Sequence, residues 1–341
     1  GNPTELFTAR PGAPESRMLG LPSADVLSVS GSGEMAILLD ARFNLGFQRT
    51  GTLARAPLAG GVPRQVLDDV QDADWAKDGS GLAVVRTVEG RYRIEYPIGK
   101  VLYETSTWVS SSRFSRDGRR IGFIDHPLAV DNRGRIAFVD LDGKMKALTE
   151  PFNSAEGLAW SPDGSEIWFT AGKTGNLLSL YAVDLAGHQR MVAGMPVSLS
   201  LYDVAANGRI LVSRNNWRRG ILGLAPGETV ERDLSWLDWS RPSDLSADGR
   251  ELLFEEQGQG GGPAYSVYLR KTDGSPAVKL GEGYSLGLSP DGRWAATTPV
   301  DNADRMTFVP TGAGEAKTVS LPGLSASAAN WHPDGRRLLL Q

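Results

Sequence analysis

An all-β chain made of one repeated antiparallel unit is what the sequence predicts, on three observations. The first is a short phrase that returns eight times: an apolar residue, two further positions, then Asp-Gly or a close variant. It runs from Trp75 to Asp78-Gly79, Phe114 to Asp117-Gly118, Trp160 to Asp163-Gly164 and Val204 to Asn207-Gly208. It continues from Leu245 to Asp248-Gly249, Leu288 to Asp291-Gly292 and Trp331 to Asp334-Gly335, with a degenerate first copy from Val29 to Ser32-Gly33. The second observation is the period, because successive turn glycines lie 39 to 46 residues apart. The third is composition: 41 glycines, 20 prolines and nine tryptophans in 341 residues suit many short strands joined by turns. Units of that period, each with a tight hairpin turn, are the blades of a β-propeller. Eight four-stranded blades are expected, with seven as the alternative because the first copy lacks the Asp-Gly turn.

The unit around Asp163 shows the plan. Gly157–Trp160 is a short strand, Ser161-Pro162-Asp163-Gly164 the turn, and Ile167–Thr170 the return strand. Leu180–Asp184 forms a third strand, and Ala186-Gly187 turns into a fourth at Arg190–Val192. Proline presets the φ that starts the turn and Asp-Gly supplies the backbone freedom that closes it. The third strand recurs as Ile136–Asp140 and Ser266–Arg270, each leading to a second turn at Asp142-Gly143 and Asp273-Gly274. Three residues after the turn glycine stand Leu82, Ile121, Ile167, Leu252, Ala295 and Leu338, expected between blades. Trp75, Phe114, Trp160 and Trp331 share one position, which packing explains better than ligand stacking.

On this plan the whole chain, 1–341, is a single propeller domain. Its blades cover about 24–70, 71–107, 108–151, 152–196, 197–235, 236–283 and 284–323, with 324–341 joined to 1–23 in the last. The segments Glu5–Arg10 and Ser16–Leu19 read as third and fourth strands without partners, and 329–340 as a hairpin without its outer strands. Pairing them would close the ring and remove two open sheet edges.

Several function classes are disfavoured. A formal net charge of −4 without a long basic run argues against a nucleic-acid partner. The absence of cysteine removes disulfides, thiolate metal sites and cysteine nucleophiles. No stretch approaches the roughly 20 apolar residues of a membrane helix, so no membrane insertion of this chain is expected. Its first residues, Gly1-Asn2-Pro3-Thr4, and its strand-like end suggest a piece of a longer protein.

Catalytic signatures are weak. Gly283-Tyr284-Ser285-Leu286-Gly287 matches the hydrolase nucleophile elbow, but that motif needs a strand before it and a helix after it. Here a short strand running into Ser289-Pro290-Asp291-Gly292 is expected instead. Gly172-Lys173-Thr174 lacks the leading glycine and the helix of a phosphate loop. His126, His188 and His332 do not have zinc-site spacing. No catalytic residue, metal site or cofactor is expected, and the chain is read as a non-enzyme.

What is left is surface. The segments joining second to third strands, and one blade to the next, are rich in arginine, aromatic and carboxylate side chains. The candidate ligand-binding residues are Arg42, Phe43, Asp125, His126, Arg214, Asn216, Trp217, Arg218, Trp239 and Glu255. If the rim instead held a metal, Asp125, Asn216 and Glu255 would be its first candidates. The expected partner is a protein, peptide or glycan, and the chain is expected to be a monomer.

Ser-Pro-Asp-Gly at 161–164 and 289–292, with Ser115-Arg116-Asp117-Gly118 and His332-Pro333-Asp334-Gly335, resembles the WD-like propeller repeat of TolB-type proteins over essentially the whole chain. A narrower resemblance links Ile121–Pro127, Leu224–Thr229, Glu231–Trp236 and Tyr268–Pro276 to the propeller regions C-terminal to bacterial eukaryotic-like serine/threonine kinase domains. It implies an extracytoplasmic sensor tethered by a membrane helix outside this sequence. A TolB-like periplasmic scaffold is the alternative, followed by the propeller of a serine peptidase or of a lactonase-like metal enzyme.

Overall fold

In the computed structural model the described residues are 4–10, 12–21, 23–45, 47–129, 131–175, 177–216, 218–302, 304–324, 326 and 328–340, with 44 and 45 described by backbone only. The chain forms two compact units: Gly1–Gly172 with Leu178–Asn215, and Lys173–Leu177 with Asn216–Gln341. Both are built of antiparallel sheets whose strands follow one another in sequence, the meander of a propeller blade.

In the first unit, β1 (Phe7–Ala9) and β2 (Ser16–Met18) make a hairpin. A seven-stranded sheet follows, of β3 (Ala24–Val29), β4 (Glu34–Leu45), β5 (Gln48–Pro57), β6 (Arg64–Trp75), β7 (Leu82–Val88), β8 (Arg91–Glu95) and β9 (Val101–Thr105). Two four-stranded sheets come next. One is β10 (Trp108–Phe114), β11 (Arg120–His126), β12 (Arg135–Asp140) and β13 (Met145–Ala147). The other is β14 (Ser154–Trp160), β15 (Glu166–Gly172), β16 (Ser179–Asp184) and β17 (Gln189–Ala193). The unit closes with the two-stranded sheet of β18 (Ser198–Val204) and β19 (Ile210–Asn215).

The second unit starts with the two-residue strands β20 (Leu222–Gly223) and β21 (Arg232–Asp233). Its four-stranded sheets are β22 (Ser240–Leu245), β23 (Glu251–Glu256), β24 (Ser266–Lys271) and β25 (Val278–Glu282), then β26 (Tyr284–Leu288), β27 (Trp294–Thr298), β28 (Arg305–Pro310) and β29 (Lys317–Ser320). The hairpin of β30 (Ala329–Trp331) and β31 (Leu338–Leu340) ends it. The ring closure expected from the sequence would join elements of different units, and it stays an expectation.

The seven-stranded sheet departs from the expected separate blades over 24–70 and 71–107. Strand β6 pairs with β5 at Arg64, Gln65, Leu67 and Val70 and with β7 from Val70 to Trp75, so one strand is the last of one blade and the first of the next. No glycine or proline interrupts 64–75, and the turn is confined to Asp68-Asp69, where Asp69 takes φ +58°.

The turns explain themselves atom by atom. In Ser-x-Asp-Gly the serine hydroxyl donates to the aspartate: Ser115 to Asp117 at 2.5 Å, Ser161 to Asp163 at 2.6 Å, Ser246 to Asp248 at 2.7 Å and Ser289 to Asp291 at 2.6 Å. The same hydroxyl accepts the amide five residues on, from Arg120, Glu166, Glu251 and Trp294 at 2.9–3.0 Å. Each turn glycine takes a positive φ, +74° at Gly164, which glycine adopts without a Cβ penalty. These bonds favour the charged carboxylate, and the Ser161 hydroxyl first of all draws Asp163 down to about 2. The turn aspartates are thereby occupied in closing hairpins.

Apolar clusters lie within the seven-stranded sheet, where its two blade-like halves meet, and between other consecutive sheets of one unit. Trp75 and Leu82 join Leu38, Leu53 and Val84; Ile121 and Phe114 join Val85 and Ile94; Ile167 and Trp160 join Ile124, Ile136 and Phe169. In the second unit Ala295 joins Leu253 and Leu269, while Leu252 packs with Ile221, Leu234 and Phe254. Trp75, Phe114 and Trp160, with Leu82, Ile121, Ile167, Leu252 and Ala295, thus serve packing, as their shared positions predict.

Candidate functional site

Most described candidates lie at or just past the ends of second strands, β4, β11 and β19 in the first unit and β23 in the second; Trp239 stands just ahead of β22. Seven first strands carry a bulge against their second: the register shifts in the pairs β3–β4, β6–β7, β10–β11, β14–β15, β18–β19, β22–β23 and β26–β27, and not in β30–β31. A bulge re-aims side chains that would otherwise alternate. Here it turns carboxylates and serines sideways, toward the next sheet.

In the first unit Ser112 donates its amide (2.7 Å) and hydroxyl (3.0 Å) to Asp72, and Phe114 its amide to Asp74 (2.8 Å). Ser200 donates its hydroxyl to Glu156 at 2.8 Å. In the second unit Ser285 donates amide (2.7 Å) and hydroxyl (3.2 Å) to Glu255, and Leu288 its amide to Asp244 (2.8 Å). A carboxylate of one sheet therefore holds the first strand of the next, through charge-assisted bonds stronger than neutral ones.

Glu255 belongs to this device and not to an open rim. It is fully buried and also accepts from Arg241 (2.9 Å) and Gln257 (2.6 Å). Burial raises its carboxyl above the ordinary range, with Arg241 opposing. Ser285, the centre of the elbow-like motif, starts β26, a strand that runs through the Ser289–Gly292 turn into β27. The strand-to-helix elbow is absent here, as the sequence predicts.

Asp125 and His126 are likewise drawn inside. Asp125 accepts from Arg135 at 2.7 Å and from the Tyr103 hydroxyl at 3.2 Å. His126 is fully buried and lies flat on Trp108, ring centroids 3.5 Å apart. Its Nδ1 is 2.7 Å from the Arg133 carbonyl, which only accepts, so Nδ1 carries the proton and Nε2 accepts from Ser110 Oγ at 2.8 Å. Burial pushes the imidazole down to about 3, and it is neutral. A ligand would reach Asp125, His126 or Glu255 only by displacing partners that complete their hydrogen bonding. The expectation that these three present themselves to a ligand is corrected accordingly.

Other candidates stay at the surface. Arg42 and Phe43 stand near the tip of the β4–β5 hairpin, which continues past a bulge at Asp40-Ala41, and Phe43 is 77 % exposed. The tip is anchored: Gln48 is buried, donating to the Ala129 carbonyl and accepting from the Tyr92 hydroxyl, and Arg49 pairs with Asp25 at 2.8 Å. Arg214 is exposed on β19.

In the second unit Asn216 and Arg218 are exposed, and Trp217 lies outside the described residues. Arg218 donates to the Leu237 carbonyl at 3.2 Å, and Arg219 bridges Trp239 in parallel. The half-buried Trp239 is thereby tied to Arg219 through the backbone, with Trp236 three residues away under the Arg270 guanidinium, 5.6 Å from the ring. Glu256, buried beneath, shapes this loop by accepting the amides of Leu237 (3.0 Å) and Trp239 (3.2 Å). Sequence reading missed Glu256 as the organiser; its adjacency to Glu255 in a strand pattern was the available signal. Among the described residues no group of three His, Cys, Asp or Glu is gathered for a metal, and no helix is long and apolar enough to cross a membrane.

No family model matches the chain, and no curated protein does. Among solved structures it is similar to TolB from Acinetobacter baumannii, at 18% identity and TM-score 0.37 over 84% of this chain and 65% of that one. It is similar to a putative TolB from Agrobacterium tumefaciens, at 17% and 0.43 over 82% and 91%. It is also similar to the β-propeller domain of the Trilobed protease from Pyrococcus furiosus, at 12% and 0.39 over 86% and 96%. The chain spans just under two thirds of the Acinetobacter TolB. The propeller-blade fold rests on the repeated sheets themselves: bulged first strand, Asp-Gly turn, and meander to a fourth strand.

Proposed function

We propose that this chain is a non-catalytic propeller that binds a protein, peptide or glycan through exposed side chains at its second-strand ends and inter-blade loops. One observation carries the reading. The side chains best suited to chemistry, His126, Asp125, Glu255 and Ser285, are engaged with partners inside or between sheets, while Arg42, Phe43, Arg214, Asn216 and Arg218 are exposed to solvent. Exposed aromatic and arginine side chains on an anchored frame are the usual material of recognition surfaces.

The finer form of the proposal is the extracytoplasmic sensor region of a receptor-type bacterial serine/threonine kinase, supported by the resemblance of 121–127, 224–229, 231–236 and 268–276. A TolB-like periplasmic scaffold is the second reading, supported by the Ser-Pro-Asp-Gly units at 161–164 and 289–292. The test is capture of partners from an envelope extract by the immobilised chain and by two double variants, Arg42→Ala/Phe43→Ala and Arg218→Ala/Trp239→Ala. A partner retained by the parent chain and lost by a folded double variant is the expected result. Retention by both variants would place binding elsewhere and overturn the assignment. Reading the gene on either side separates the two forms: His-Arg-Asp and Asp-Phe-Gly motifs before a membrane helix favour the sensor, and a cleavable signal peptide without them favours the scaffold.

A further inference from the structure

The eight turn phrases differ at one chemically reactive position. Six carry Asp before the glycine and the degenerate first copy carries Ser, but the fifth carries Asn207, in the sole Asn-Gly pair of the chain. We propose that Asn207 is a site of spontaneous deamidation in the folded protein.

The reaction needs only water. The Gly208 backbone nitrogen, having lost its proton to solvent, attacks Cγ of Asn207. The new Cγ–N bond closes a five-membered succinimide, the Cγ–Nδ2 bond breaks, and ammonia leaves with a proton from water. Water then opens the ring at either carbonyl. Attack at Cγ restores the backbone and leaves aspartate; attack at the main-chain carbonyl leaves isoaspartate, with the backbone running through the former side chain. Nothing is oxidised or reduced.

Three features of the site favour this. Glycine at 208 presents no Cβ to the attacking nitrogen's neighbourhood, and no heavy atom lies within 4 Å of where one would be. Residues 205–210 are all exposed, so solvent base and water reach the turn. Third, the serine clamp found in four of the other turns is missing. Where Ser115, Ser161, Ser246 and Ser289 grip the turn aspartate, this turn has Ala205, and the Asn207 carbonyl oxygen accepts only the Arg209 amide at 3.2 Å. One bond opposes reaction: the Gly208 amide donates to the Ala205 carbonyl at 2.9 Å and must open first. It sits at the end of a hairpin whose return strand, β19, pairs in its sheet with β18 alone and is largely exposed, the kind of segment that opens locally.

The two products differ in effect. Aspartate at 207 reproduces the residue of six other turns. Isoaspartate lengthens the turn by one backbone atom and breaks the Ala205–Gly208 register that pairs Val204 with Ile210.

The experiment incubates the folded chain in warm, mildly alkaline buffer and follows each asparagine by peptide mass, with isoaspartate scored by enzymatic methylation. Conversion at Asn207, a gain of about 1 Da, is expected well ahead of Asn153-Ser154, whose side chain is buried. Gly208→Ala is expected to slow conversion roughly tenfold by restricting the backbone, and Ala205→Ser to slow it by supplying the missing hydroxyl. Asn207→Asp, which should fold like the parent, is expected to abolish the mass change there. Intact Asn207 after Asn153 has reacted would overturn the proposal, as would conversion that occurs only when the chain is unfolded.

Discussion

Two neighbouring sheets of the first unit, β14–β17 and β18–β19, start from the same plan and end in opposite environments. Both have a bulged first strand, a turn with glycine at positive φ, and a return strand in antiparallel register. Opposite the apolar residue that opens the phrase, Ile167 (paired with Trp160) is fully buried, whereas Ile210 (paired with Val204, across a turn one residue shorter) is 38 % exposed. Strand β15 is paired along its edge with β16 and packs its Ile167 and Phe169 against Phe152 and Tyr181, while β19 pairs with β18 alone in its sheet among the described residues. The hairpin is thus made by local chemistry, and burial is conferred by neighbours. A turn phrase announces where the chain reverses, not how protected the reversal is.

The largest test of that contrast is paired truncation. Ile167→Ala removes buried methyl groups from a packed cluster and is expected to cost about 2–5 kcal/mol, whereas Ile210→Ala, at the equivalent but exposed position, should cost no more than about 1 kcal/mol. Chemical denaturation of both variants checks this, and equal costs would break the comparison.

The seam between the two sheets gives the next effect. Gly157 takes φ +65°, and a Cβ there would lie 1.9 Å from the Leu201 carbonyl oxygen, so β14 and β18 approach only because this residue is glycine. Gly157→Ala is expected to cost at least about 2 kcal/mol, read as a lowered denaturation midpoint.

Acid sharpens the contrast in a different way, since the buried titratable ring lies in the covered region at His126. Its pKa falls from 6.5 to about 3 on folding, so between those values the unfolded chain binds the extra proton. Its contribution is whole above pH 6.5 and is lost, by about 1.4 kcal/mol per pH unit, as pH falls toward 3. His126→Asn should lack this slope, so the stability gap between parent and variant should narrow in acid; a gap independent of pH would contradict the buried neutral ring.

The smallest effects belong to the turns. Ser161→Ala removes a hydroxyl that both donates and accepts and should cost about 1 kcal/mol. The double change Ala205→Ser/Asn207→Asp installs the same clamp in the β18–β19 turn and should gain up to about 1 kcal/mol.

Much of the fold was legible. The expected units at 108–151, 152–196, 236–283 and 284–323 hold the sheets β10–β13, β14–β17, β22–β25 and β26–β29, because Asp-Gly turns and alternating apolar residues are local signals. The shared strand β6 was not legible, since Asp68-Asp69 bends a strand without the glycine or proline that marks other boundaries. The candidate site was half legible. Types such as Arg42, Phe43 and Arg218 at strand ends are exposed as expected, yet Asp125, His126 and Glu255, at equivalent strand ends, are buried. What separates them is a partner from another strand, Arg135 and Tyr103, Trp108 and Ser110, Arg241 and Ser285, and cross-strand partners are not written at fixed spacing.

Native-state hydrogen exchange, resolved by residue, tests the central claim most directly. Amides of β15 should exchange only through large openings, while those of β19, held in its sheet by β18 on one edge only, should exchange through local opening, orders of magnitude faster. Equal protection along Glu166–Gly172 and Ile210–Asn215 would contradict the account, since it would mean that the shared turn, and not the neighbours, sets how firmly each hairpin is held.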